Sequence, residues 1–119
     1  MEDLSLKKAQ QMINDWFNEL NVGYFSPLTN LGQLTEEVGE VARIMIREYG
    51  DQSFKESDKD KDLGAELSDV LFSLLCIANQ TNVDLGEAFL RKMDKRKNRD
   101  EKRHQNNDKI NKKHKKCLE

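Results

Sequence analysis

Five carboxylates stand in an order that can do chemistry: Glu36, Glu37 and Glu40, then Glu66 and Asp69. Glu37 with Glu40, and Glu66 with Asp69, are spaced i, i+3, which on a helix puts both members of a pair on one side. Like charges at that density, once partly buried, raise one another's pKa or take up a counter-cation. An all-oxygen donor set without His or Cys suits a hard divalent ion, Mg2+ with Mn2+ as a substitute, and Mg2+ held by a few carboxylates and waters completes its shell with substrate phosphates. Glu36 and Glu40 also make an ordinary i, i+4 surface spacing, so the residues alone leave a metal site and a solvated face both open.

Helices must position these acids. Leu6, Ala9, Ile13, Trp16, Phe17 and Leu20 follow helical spacing and predict a first helix over 4–21. The segment from Gly23 to Asn30, with the only Pro, interrupts it, and Asn30 followed by Gln33 reads as the N-cap of a second helix. Its stripe is Leu31, Leu34, Val38, Val41, Ala42, Met45 and Tyr49, with Gly50 as a stop that tolerates the left-handed conformation. After a polar loop over 51–61, Asp62 caps a third helix whose stripe is Leu63, Leu67, Val70, Leu71, Leu74, Leu75 and Ala78. Asp84 with Glu87 opens a fourth helix that grows basic toward its end.

No period-2 alternation occurs, so the fold class is all-α, an antiparallel bundle of about four helices. At about 100° per residue, Glu37 and Glu66 each lie roughly 90° from the middle of their stripes, in the same rotational sense. Antiparallel packing through those stripes brings Glu37, Glu40, Glu66 and Asp69 into one groove flanking the core.

The 119 residues, 36% apolar and 35% charged, suit one small domain. The mean hydropathy of -0.87 and the lack of a long apolar run exclude a membrane span. The start MEDLSLKKAQ does not read as a signal peptide, and two cysteines, Cys76 and Cys117, build neither a disulfide framework nor a zinc site, so a cytoplasmic protein is expected. Residues 1–90 hold 7 Lys and Arg against 17 Asp and Glu, whereas 91–119 hold 13 against 5. The ordered domain is read as 1–104 and residues 105–119 as a basic, disordered tail, capable at most of non-specific attraction to nucleic acid. The core is thin for a single chain, and the third helix is apolar around much of its circumference, which points to a homo-oligomer, dimer or tetramer.

The string Leu34-Thr-Glu36-Glu37-Val-Gly-Glu40-Val-Ala-Arg43, followed by Glu66-Leu-Ser-Asp69-Val-Leu-Phe72, resembles the Glu-Glu-x-x-Glu and Glu-x-x-Asp signature of the MazG-like nucleotide pyrophosphohydrolases, the all-α NTP pyrophosphatase superfamily. The likeness extends over about residues 20–100, from Gly23-Tyr-Phe-Ser-Pro-Leu28 to Val83-Asp84-Leu85. It implies cleavage of a nucleoside triphosphate between its α and β phosphates, with Glu37, Glu40, Glu66 and Asp69 as Mg2+ ligands. Glu36 is by the same likeness a further acid that holds a second ion or orients the attacking water. Asn79, Lys95 and Arg99 are the nominated substrate contacts, each with an ordinary structural reading beside it. Trp16, Phe17, Tyr24, Phe25 and Phe72 offer a stacking surface, although Trp16 and Phe17 at helical spacing fit a core better. A role in clearing damaged or surplus nucleotides follows from the resemblance only. Two rivals stand: an idle metal-stabilised helical scaffold, and an interaction module using the basic end. Within the superfamily, a preference for dUTP or a phosphoribosyl nucleotide is not separated by these motifs.

Overall fold

The computed structural model describes residues 3–56 and 60–110. Four α-helices follow in order: α1 (Leu6–Leu20), α2 (Pro27–Glu48), α3 (Leu63–Gln80) and α4 (Leu85–Gln105). The expected all-α class holds, with no strand among the described residues. Residues 57–59 of the expected loop and 111–119 of the expected tail lie outside the described residues. The chain forms two compact units, one ending at Leu85 and the other beginning at Gly86.

In the first unit α3 packs against both α1 and α2. Gln10 bonds Asn79 while Trp16 meets Phe72, so α1 runs antiparallel to α3. Asn30 bonds Gln80 while Glu40 pairs with Lys61 at 3.7 Å, which sets α2 antiparallel to α3 as well. Ala9 and Ile13 from α1 and Leu75 and Cys76 from α3 make the buried cluster, with Leu6, Phe17, Tyr24 and Leu85 packed around it.

The helix ends follow local chemistry. Ser5 caps α1 by accepting from the Lys8 N–H, and Asp62 caps α3 by accepting from the Gly64 N–H, as its sequence position predicts. The start of α2 departs from expectation. Ser26, not Asn30, is the N-cap, accepting from the Thr29 N–H at 3.2 Å, and Pro27 takes the first helical position, where its fixed φ fits and its missing N–H is no loss. Asn30 is therefore a helical residue whose side chain is free to turn inward.

Gly50 ends α2 for a different reason than left-handed backbone. No described glycine has positive φ. A Cβ on Gly50 would instead collide with the Ile46 carbonyl oxygen. Left-handed positions fall on Asn21 (φ 56°), which closes α1, and on Asn82 (φ 58°) just beyond α3. Both suit Asn, the side chain after Gly that best tolerates this region.

The packing face of α2 is also rotated from the expected stripe. Asn30 and Ile44 are buried and Glu37 and Val41 half-buried, whereas Leu31, Val38, Met45 and Tyr49 stay exposed. A shift of one residue is a turn of about 100°. Glu37 and Glu40 consequently lie on the face toward α3 rather than beside it, and much of the apolar stripe is left uncovered. On α3, Leu67, Leu71 and Leu74 are exposed in the same way.

Candidate active site

Glu37 from α2 and Glu66 and Asp69 from α3 meet, each offering a carboxylate oxygen within 4.8 Å of the other two. Glu37 and Glu66 are half-buried and Asp69 is exposed. Burial, and after it the charges of Asp69, Glu66, Glu40 and Glu36, push the Glu37 pKa above the ordinary carboxylate value. A hard cation would relieve that strain, and an all-carboxylate donor set fits one.

Glu40 is half-buried one turn on from Glu37, and its carboxylate is 3.7 Å from the Lys61 ammonium rather than in the three-acid group. Glu36 is exposed, near enough for its charge to act on Glu37. All five sequence-nominated acids thus come to one neighbourhood, three of them within reach of a common ion.

Beside the acids opens a cavity of about 540 Å³. Glu37 and Asp69 stand at its edge, Phe17, Tyr24, Phe25 and Phe72 supply aromatic walls, and Asn30 and Ser73 are its buried polar residues. The aromatics brace one another: Phe17 to Tyr24 at 4.7 Å between ring centroids, and Phe17 to Phe72 at 6.4 Å, edge on. Phe17, which the spacing favoured as core, is both core and cavity wall; Trp16 is half exposed and packs on Phe17 and Phe72.

Asn79 does not line this cavity. Its Nδ2 donates to the Gln10 carbonyl and the Tyr24 hydroxyl, both at 2.9 Å, and its Oδ1 accepts from Gln10. Tyr24 in turn donates to Asn14. Asn79 therefore holds the Tyr24 ring in place from behind, and its amide is spent on protein partners. Lys95 and Arg99 lie on α4 in the second unit. Lys95 is exposed; the Arg99 guanidinium makes two 2.8 Å bonds to Asp100, which hold the Asp100 carboxyl below its usual pKa.

The sequence reading gave Asn30 and Gln33 only a capping role and passed over Ser73. A signal existed: Asn30, Gln33 and Glu37 repeat at i, i+3, i+7, and Asp69, Phe72, Ser73 and Cys76 at i, i+3, i+4, i+7, each continuing the acid-bearing face along its helix.

The sequence model of the MazG nucleotide pyrophosphohydrolase domain matches residues 25–104, which contain the acids and most of the cavity wall. The chain belongs to the MazG nucleotide pyrophosphohydrolase family. YpjD of Bacillus subtilis strain 168 is 40% identical over 103 residues, covering 87% of this chain and 93% of its own. The crystal structure of Bacillus subtilis YpjD superposes with a TM-score of 0.73 at 39% identity, over 84% of this chain and all of that one. A Bacillus-conserved MazG protein described as a nucleotide pyrophosphohydrolase gives a TM-score of 0.67 at 37% identity, over 80% of this chain and 92% of its own. Family membership makes this MazG protein a hydrolase of pyrophosphate bonds. No described helix is long and apolar enough to cross a membrane.

Proposed function

We propose that this MazG protein cleaves nucleoside triphosphates, ribo or deoxy, between the α and β phosphates, releasing the monophosphate and pyrophosphate. The observation that supports it most is the meeting of Glu37, Glu66 and Asp69 at the edge of an aromatic cavity. The three carboxylates would hold Mg2+, with Glu40, paired to Lys61 one turn along α2, as a further acid toward it. When bound, the ion neutralises the triphosphate and lowers the pKa of a coordinated water. Glu36, exposed beside the cluster, orients the attacking water and takes its proton. The aromatic walls receive the base and keep the nucleoside at a fixed distance from the acids, so that phosphate rather than sugar meets them. No side-chain nucleophile is needed. A homo-oligomer covers the exposed stripes of α2 and α3.

The test is pyrophosphate release from a panel of NTPs and dNTPs, ordinary and modified, with Mg2+ or Mn2+, run beside folded Glu37→Ala and Asp69→Ala proteins. Monophosphate plus pyrophosphate is expected, with each variant slower by about 10²–10³-fold, the loss typical of removing one preorganised charge-stabilising group. Metal that raises the melting temperature with no turnover of any substrate would instead establish the scaffold reading.

A further inference from the structure

Two polar side chains of the cavity are more than nine-tenths buried, Asn30 and Ser73, each 7% exposed. Buried polar groups need partners. Asn30 uses only half of its amide: Nδ2 donates to Gln80 Oε1 at 2.8 Å and, more weakly, to the Phe25 carbonyl at 3.4 Å. Its Oδ1, like the Ser73 hydroxyl, has no hydrogen-bond partner among the described residues, and neither atom is among the fully occluded ones.

The orientation of the Asn30 amide is fixed from outside. A backbone carbonyl can only accept, so the Phe25 oxygen takes Gln80 Nε2, at 2.8 Å. That turns Gln80 Oε1, also an acceptor only, toward Asn30, which must answer with Nδ2. Asn30 is left presenting an acceptor and no donor. Seven residues of helix, about 10 Å, separate it from Glu37 on the same face of α2. A nucleotide whose phosphates meet the acids would bring the outer edge of its base to this end of the cavity.

We infer that Asn30 Oδ1 selects a base carrying an exocyclic amino group at its outer edge, as cytosine and adenine do, with Gln80 as the positioning residue that denies Asn30 the opposite choice. An amino group donates to the fixed oxygen. A carbonyl at the same place, as in uracil or hypoxanthine, sets acceptor against acceptor, and the amide cannot turn to offer Nδ2 without breaking with Gln80 and Phe25. The Ser73 hydroxyl rotates to serve either ring form, so discrimination rests with Asn30. This inference depends on the proposed nucleotide chemistry of the site.

Matched pairs test it: kcat/KM for dCTP against dUTP and for dATP against dITP with the unaltered enzyme and Mg2+, together with equilibrium binding of the non-hydrolysable α,β-imido analogues of dCTP and dUTP. The amino member is expected to lead by about tenfold or more within whichever pair is turned over faster, because a site built for one hydrogen bond rejects the analogue that leaves it unmade. Asn30→Ala and Gln80→Ala should bring that ratio toward one; a merely structural role would slow both members alike and leave the ratio standing. Equal rates or a keto preference in the unaltered enzyme, or an unchanged ratio in Asn30→Ala, overturns the inference while the pyrophosphohydrolase reading survives. Neither turnover nor analogue binding for any member overturns both. The analogue binding decides the matter even where the variants fail to fold.

Discussion

Glu37 is the side chain on which the site's electrostatics converge. Its pKa is raised in the folded, metal-free protein, so the folded state binds a proton more readily than the unfolded chain does. That contribution to stability is complete below the ordinary carboxylate pKa and is lost as pH rises through the raised one. The metal-free protein should therefore lose melting temperature across this window, and Glu37→Gln should flatten the trend and melt higher at neutral pH. Mg2+ should restore the loss in the parent and do little for the variant, since the ion and the proton compete for one carboxylate. A melting series from pH 4 to 8, with and without Mg2+, checks both arms. That Glu37, Glu66 and Asp69 come together was legible from motif and helical spacing, although the spacing set them beside the packing face rather than on it. Glu40's pairing with Lys61 was not, since Lys61 comes from a loop whose path no periodicity sets. That the Asn79 amide is engaged by Gln10 and Tyr24 was not legible, because polarity near a site does not tell which protein partners an amide has.

At the level of helices, the sequence marks where apolar periodicity begins and ends more clearly than it marks why. Asp62 was readable as a cap because nothing competes with it. Asn30 and Gln33 imitate a capping box, yet Ser26 and Pro27 already start α2 one turn earlier. Gly50 is the sharper case. A left-handed stop would accept Asn nearly as well as Gly, whereas a collision with the Ile46 carbonyl excludes any Cβ. Gly50→Ala and Gly50→Asn should accordingly destabilise by similar amounts, about 1 kcal/mol or more, as steric insertion does. Rescue by Asn alone in denaturant or thermal melts would contradict this. Ser26→Ala should cost about 1 kcal/mol through the lost bond to the Thr29 N–H, with Ser26→Asp close to neutral. Because α2 begins at its cap, that same change loosens the turn carrying Asn30, so its effect on the base pairs compared above should exceed its effect on metal-induced stabilisation.

For the whole chain, the sequence set the α2 and α3 stripes against each other, while its thin core already called for a second copy to cover part of α3. Periodicity identifies which face of a helix is apolar, but not whether the covering surface belongs to the same molecule. Leu31 and Val38 of α2 and Leu67 of α3 are each about half exposed, while the face of α2 one residue around carries Asn30, Glu37 and Ile44 against α3. A family enzyme whose polar site occupies the interhelical face has displaced its apolar stripes outward, and stripes this large on a small domain need covering. If copies of the chain supply the cover, light scattering coupled to size exclusion should give a dimer or tetramer, and the melting temperature should climb with protein concentration. Leu31→Lys with Leu67→Lys should shift the mass to the monomer and remove the concentration dependence, at a cost in stability that the acids do not share. A monomer from the parent chain at all concentrations would sink this assembly, and would require that the two stripes be tolerated in water, against the hydrophobic cost of leaving several large side chains exposed.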